Sequence, residues 1–553
     1  MTSNPSERGP KSPASGAENA VTAAGGHVLE EQRRANREDL RKLGLRPYGS
    51  RVDGLLSLAK ARALQSDAAD AAHAAAGKTP PPGFVDPRAE ATVAGRVMLL
   101  RDNGKLLWMT LRDETGDLQI AVSQRDVSEK SFAAAKLTDL GDVVCARGRL
   151  MKTRTGEITL WAERASAEAA GERGGFAPAS KCLLPPPEKH AGLVDVEIRY
   201  RQRYVDLWAN PETLGVFRLR SAIIARLRKH MESRGYLEVE TPMLQALAGG
   251  AAARPFITKM NALDISLYMR IAPELYLKRL LVGGLGRVFE INRNFRNEGL
   301  DKQHNPEFTM MEAYHAFGDV ETVMELTESA IRDAASMVFE ASGGRTEGGG
   351  EIVLPFGDLK INYSKPFVRV TYAELFEAGL GYPMDDFARA KRDLSDRNPH
   401  KAAEIAAADP WLVVNELFEL KGEGRVDPSR PTFITDYPSA ISPLTRPKPG
   451  NEALADRADL FIAGMEIAPH YTELNDPDVQ EAKFKEQLTG IDADKNAEES
   501  TFRTMDHDFL RALKVGMPPA GGMGLGVDRL VMILTNQRTI RDVMLFPLMR
   551  PEA

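Results

Sequence analysis

Between Arg287 and Tyr314 the chain reads RVFEINRNFRNEGLDKQHNPEFTMMEAY, an apolar run, a polar loop and a second apolar run. Two apolar segments joined by a short polar connection pair most simply as an antiparallel hairpin. Such a hairpin carries Arg296 and Glu298 at the end of its first arm and His304, Phe308, Glu312 and Tyr314 on its second. A guanidinium, an imidazole, an aromatic ring and carboxylates then share one cleft, a set suited to a nucleoside triphosphate together with a cationic co-substrate. A charged hairpin without any ligand has the same pattern, so the stretch needs its context.

Two further segments supply it. Gly521 to Arg529 reads GGMGLGVDR and runs into the apolar stretch Leu530–Leu534. Glycines let a backbone approach a ligand closely, and Arg529 at the start of a helix is placed to hold a terminal phosphate. The segment is no P-loop, because GxxxxGK[ST] is absent, and no dinucleotide fingerprint, because no strand is expected before it. Upstream, Val216–Ser233 has apolar residues at helical spacing and stops at Gly235, after which Tyr236 to Pro242 is predicted as a strand ending at proline.

The first third of the chain has a different texture. Short β-patterned runs occur at Thr92–Leu100, Leu106–Leu111, Leu118–Val122, Asp142–Leu150 and Ile158–Trp161, most separated by turns such as Asn103-Gly104, Thr115-Gly116 and Thr155-Gly156. A helix-compatible segment, Ser128–Leu137, lies between the third and fourth runs. Five strands with a helix at that point fit a small oligonucleotide-binding barrel, a pattern shared with other small β-domains. The fold class expected is α+β, with an OB-fold barrel over residues 86–170 and a second domain of helices and antiparallel sheet over 196–553. Around these lie a tail, 1–28, expected to be disordered; a helical segment, 29–85; and a Gly- and Pro-rich linker, 171–195. The helical segment carries Arg33, Arg34, Arg37, Arg41 and Lys42, which suit either RNA phosphates or an ordinary solvated helix face.

A chain of 553 residues is too long for one core, and its net charge of −6 leaves any nucleic-acid contact to local patches. Two cysteines, Cys145 and Cys182, form no CxxC pair, which disfavours a disulfide scaffold or a zinc site and suits a reducing cytoplasm. The N-terminus lacks a signal-peptide pattern and no apolar run approaches a membrane span, so neither secretion nor a membrane is expected.

In order and spacing, the helix and strand ending at Pro242, the FRNE hairpin with HNPEF, and GLGVDR resemble the three signature motifs of class II aminoacyl-tRNA synthetases. GGAAARPFIT at 249–258, RIAPELYLKRL at 270–280, NPEFTMMEAY at 305–314 and ELND at 473–476 narrow the resemblance to the bacterial lysyl-tRNA synthetases, from about Arg41 to Pro551. It implies activation of L-lysine by ATP with Mg2+, esterification to tRNA(Lys), and a homodimer built on the first motif. It also assigns roles. Arg296 and Arg529 are the expected catalytic cations, and Glu298, His304 and Phe308 join them in the ATP site. Gly250, Glu274, Glu312, Tyr314 and Glu473 are expected to receive lysine, Asp459 and Glu466 the metal, and Trp108, Gln119 and Glu157 the anticodon.

The match breaks in places. Where the family has an asparagine just before the ELN segment, holding the substrate carboxylate, this chain has Ala468-Pro469-His470. Proline offers neither an amide side chain nor an N–H, leaving His470 as a substitute donor or lysine more weakly held. Gln303 replaces a residue that is often basic, and Asp459 is shorter than usual. These departures keep open a paralogue that activates another amino acid, or a regulatory RNA-binding relative.

Overall fold

The computed structural model describes residues 15–77, 81, 83–164, 175–187, 193–250, 253–345, 350–492 and 505–552. The chain forms two compact units, Met1–Leu214 and Gly215–Ala553.

In the first unit, strands Glu90–Asp102, Leu106–Asp113, Gly116–Ser123, Ile158–Ala162 and Val143–Lys152 are neighbours in that order, and the last pairs back onto the first. That closes a five-stranded barrel. Alternation selects its faces: Leu107, Met109 and Leu111 are buried inside, whereas Trp108 and Thr110 between them face outward. Gly104, at φ +77°, makes the tight turn between the first two strands that a residue with a Cβ adopts only at a cost. The helix Glu129–Lys136 lies between the third and fourth strands in sequence, and the Ser128 hydroxyl caps it by accepting from Ser131 N at 3.1 Å.

Three expectations change. Phe176–Ser180, in the stretch read as linker, is an edge strand on Val143–Lys152. The N-terminal helix runs over Ser15–Lys42, starting inside the stretch expected to be disordered; its first turns are rich in alanine, the strongest helix former. Residues 1–14 of that tail lie outside the described residues. The basic face of this helix is largely committed within the protein. Arg33 is buried and donates to the carbonyls of Leu140 and Cys182 at 2.8 and 2.9 Å, while Arg34, Arg37, Arg41 and Lys42 pair with Glu30, Glu38 and Asp39.

The second unit is organised by an eight-stranded sheet. In order its strands are Val368–Thr371, Thr432–Thr435, Arg457–Ile462, Met465–Thr472, Ala520–Gly526, Glu307–Ala316, Arg287–Phe295 and Leu237–Glu238. All pairs are antiparallel except the outermost at each end. The helix Val320–Ala341, opened by an Asp319/Thr322 capping box, buries Val323, Met324, Ile331 and Val338 in the main core, together with Leu460, Met523 and Leu530. Its opposite surface carries charge, as an amphipathic helix requires. The predicted helix appears as Pro211–Ser233, but the strand expected from Tyr236 to Pro242 is only Leu237–Glu238, parallel to Val288–Phe289.

Candidate active site

The hairpin forms as its sequence requires. Arg287–Phe295 and Glu307–Ala316 pair with Glu290 opposite Glu312 and Asn294 opposite Phe308. Beside it lies Ala520–Gly526, with Gly524 opposite Glu312 and Gly522 opposite Tyr314. The glycine-rich segment is therefore itself a central strand, which corrects its reading as a turn with no strand before the helix. Its glycines answer close approach: a Cβ on Gly522 would collide with Glu473 Oε1 and with Tyr314, and one on Gly521 with the backbone of Asp319. Leaving the strand, the chain turns straight into the helix Val527–Leu534 and so delivers Arg529 on its first turn.

Arg296, Glu298, His304, Phe308, Glu466 and Arg529 line one cavity of about 180 Å³. The Arg296 guanidinium lies over the Phe308 ring, 5.1 Å from its centroid. Burial lowers the Arg296 pKa against the pull of Glu298, Glu312 and Glu466, so its charge is poorly solvated and available to an anion. Arg529 donates to the Glu466 carbonyl at 2.7 Å and to His304 Nε2 at 2.8 Å. Because Nε2 accepts, Nδ1 carries the proton and donates to Asp301 Oδ2 at 2.8 Å. The cation, imidazole and carboxylate thus hold one another at the mouth of the cavity.

The acids behave differently. Glu274, Glu312 and Glu473 are all buried. Burial, reinforced by Glu274, pushes Glu312 up to about 8, and the Tyr314 hydroxyl donates to Glu312 Oε2 at 3.2 Å. Burial also pushes Glu473 up to about 7, opposed by Lys278. The Lys278 ammonium lies 2.6 Å from Glu274 and 2.5 Å from Glu473. Gly250, at φ +86°, packs within 3.3 Å of Glu274 Cβ if given a Cβ of its own. The four side chains expected to receive lysine therefore form one buried, acid-rich cluster with Lys278, and Gly250 packs against it.

Asp459 and Glu466 stand on adjacent strands, Arg457–Ile462 and Met465–Thr472. Burial and then the Asp459 charge raise the Glu466 pKa against the pull of Arg529, Arg457 and Arg296. Arg457 answers part of this through Asp459, at 2.6 Å. Among the described residues no group of three or more His, Cys, Asp or Glu could hold a metal ion.

The altered segment has a clear geometry. Pro469 lines the cavity near Gly524. His470, next along the strand, points the other way into the core, where Nε2 meets Thr327 Oγ1 at 2.8 Å and Nδ1 meets the Ala458 carbonyl at 3.1 Å. Burial lowers its pKa to about 4. His470 is a neutral core residue and does not replace the lost amide.

On the barrel, Trp108 stands half-buried on the outer face, edge-on to Trp161 with centroids 5.4 Å apart. Gln119 shares that face and donates to Thr159 Oγ1 at 2.9 Å. Glu157, exposed just before the last barrel strand, pairs with Arg62 at 3.2 Å.

Sequence reasoning missed two supports. Lys278 follows Glu274 by one helical turn in PELYLK, a spacing that signals a pair. Asp528 accepts from Thr309 N at 2.7 Å and pairs with Arg220 at 2.5 Å, tying the start of the Arg529 helix to the hairpin.

Comparison with known proteins gives the family. Residues 195–550 match the family of class II tRNA synthetases (D, K and N), and residues 91–166 the OB-fold nucleic acid binding domain. A lysine–tRNA ligase of Magnetococcus marinus is 44% identical over 94% of this chain and 96% of its own length. One of Pelotomaculum thermopropionicum is 43% identical over 95% and 96%, and one of Dehalococcoides mccartyi 45% identical over 84% and 88%. The chain carries an OB-fold unit and a class II synthetase unit, and it belongs to the lysine–tRNA ligase family of class II aminoacyl-tRNA synthetases.

Proposed function

We propose that this protein activates L-lysine with ATP and esterifies the lysyl group to tRNA(Lys) in the cytoplasm. The observation that carries the reading is the buried cluster of Glu274, Glu312, Tyr314 and Glu473, whose Glu312 packs near Gly524 beside Pro469, a lining residue of the Arg296–Phe308–Arg529 cavity. A neutral side chain entering that pocket would leave its carboxylates facing one another, whereas an ammonium relieves them.

Phe308 supplies a stacking plane for adenine, Arg296 a poorly solvated cation for the α-phosphate, and Arg529 with His304 the grip on the phosphate tail. Glu298, at the rim, completes the ATP site. Glu274 takes the α-ammonium, beside the close backbone at Gly250; Glu312, Tyr314 and Glu473 take the ε-ammonium. The lysine carboxylate attacks the α-phosphorus in line and pyrophosphate leaves, which requires no general base. Positioning and the fixed charge of Arg296 supply the catalysis.

The pair Asp459 and Glu466 fits Mg2+, since both supply carboxylate oxygens from adjacent strands, Glu466 lines the cavity of Arg296 and Arg529, and ATP oxygens would complete the set. When bound, the ion would neutralise charge on the departing pyrophosphate. Pro469 offers no donor to the lysine carboxylate, so that end of the substrate lacks the family's amide.

Trp108 offers a stacking surface for a splayed anticodon base, and Gln119 and Glu157 offer edge-reading groups. A homodimer through the Val216–Pro242 region accords with the family resemblance. The test is aminoacylation of tRNA(Lys) transcript with and without Mg2+. Lysyl-tRNA formed only with the metal and lost when the anticodon is changed is the expected result; charging indifferent to the anticodon removes the barrel residues from the reading.

A further inference from the structure

The acid pocket contains a cation of its own. Lys278 lies one turn after Glu274 on the helix Glu274–Val282, with no solvent exposure of its side chain. Its ammonium contacts Glu274 Oε1 at 2.6 Å and Glu473 Oε2 at 2.5 Å. A lysine in a pocket that takes up lysine stands either in the substrate's place or in the wall. The oxygens decide for the wall. Lys278 hydrogen-bonds Glu274 Oε1 and approaches Glu473 through Oε2, while Glu473 Oε1 lies on the side toward Gly522 and Tyr314; both Glu473 oxygens are buried without an aligned hydrogen bond. An unanswered carboxylate oxygen in such a place requires a donor.

The charges agree. Glu274, Glu312 and Glu473 are three acids, and Lys278 is the ammonium that touches two of them. Glu312 is protonated in the empty pocket and ionises as lysine binds, so three acids less one resident ammonium leave two carboxylates for the two ammonium groups of free lysine. Burial disfavours the charge on Lys278, but Glu274 and Glu473 outweigh it and hold its pKa above the ordinary lysine value.

We propose that Lys278 is a resident ammonium that fixes the spacing of Glu274 and Glu473 and sets the pocket's charge for an amino acid with two ammonium groups. It is a positioning and specificity-determining residue. The proposal rests on the lysine-pocket reading given above and extends it to a residue that never meets the reacting atoms.

The experiment is ATP–pyrophosphate exchange by the full chain, comparing wild type with Lys278→Gln and Lys278→Arg on lysine, ornithine and 6-hydroxynorleucine. Lys278→Gln is expected to raise the KM for lysine about tenfold or more, with kcat and the KM for ATP within about twofold, and to narrow the preference over 6-hydroxynorleucine. Lys278→Arg keeps the charge but moves it, so it is expected to stay closer to wild type in lysine KM while shifting the lysine-to-ornithine preference. An unchanged lysine KM in Lys278→Gln overturns the proposal. So does a lowered one, which would put Lys278 in the substrate's own place, and so does an equal rise in the KM for ATP, which would make the residue merely structural. If Lys278→Gln does not fold, Lys278→Arg decides: an unshifted preference, or loss of fold in both variants, overturns it. A wild type that does not use lysine would instead sink the functional reading itself.

Discussion

The two ends of the cleft solve opposite electrostatic problems with the same sheet. At the phosphate end, Arg529, His304 and Asp301 form a chain of partners that remains open to solvent, with His304 and Asp301 each more than half exposed. At the lysine end, Glu274, Lys278 and Glu473 are withdrawn from water. Solvent screens the first group, so a lost contact there weakens a grip without unbalancing the fold. In the second, removing one partner strands a buried charge, at a cost of about 3–5 kcal/mol where such pairs are broken. A cleft that must seize and release a highly charged nucleotide keeps its outer cation, Arg529, accessible and only Arg296 poorly solvated; one that must tell lysine from its neutral analogues buries its acids.

The contrast can be broken in stages. The largest effect is expected from Arg529→Ala, which removes a phosphate-end cation and should lower pyrophosphate exchange by about a thousandfold or more, while the melting temperature barely moves. A large loss of stability would show that Arg529 is structural. Next, Glu473→Gln should weaken lysine by about tenfold to a hundredfold and leave ATP binding intact, as titration calorimetry with each ligand would reveal. An unchanged lysine affinity would remove Glu473 from the pocket.

Proton linkage sharpens the comparison further. Folded Glu312 titrates near 8 against an ordinary value of 4.5, because burial and then Glu274 disfavour its charge. The folded chain therefore holds a proton that the unfolded chain releases. That stabilisation is complete below 4.5 and is lost as the pH rises through 8. Wild type should lose melting temperature relative to Glu312→Gln between pH 4.5 and about pH 8, and parallel curves would contradict the assignment. Lysine has the opposite preference, favouring the ionised carboxylate. Its binding near about pH 7 should release protons, measurable as a buffer-dependent enthalpy that shrinks in Glu312→Gln. The smallest effect on activation is expected from Trp108→Ala, which should spare exchange and impair tRNA charging by about tenfold. Equal loss of both activities would contradict separate roles for the barrel and the sheet.

What the sequence revealed followed the same division. The five barrel strands emerged within a few residues because their alternation and glycine turns are local signals. The hairpin emerged because two apolar runs flank a polar loop. The phosphate-end residues are long-reaching cations and an aromatic placed by recognisable motifs, and the sheet gathers them around one cavity. By contrast, GGMGLG gave no strand signal, since its glycines reflect collisions with Glu473, Tyr314 and Asp319 that only the assembled sheet creates. His470 looked available because strand alternation next to Pro469 does not announce which face is core. Lys278 was not singled out, because its second carboxylate, Glu473, lies almost two hundred residues away in the chain.

Lysine-dependent ATP–pyrophosphate exchange, run beside the other amino acids on the purified full chain, tests the central claim most directly. Exchange with lysine and not with neutral amino acids of similar size is the predicted result, and it would show that Pro469 is tolerated where the family has asparagine. Exchange driven by a different amino acid, or none at all, would contradict the claim that the buried acids exist to receive lysine.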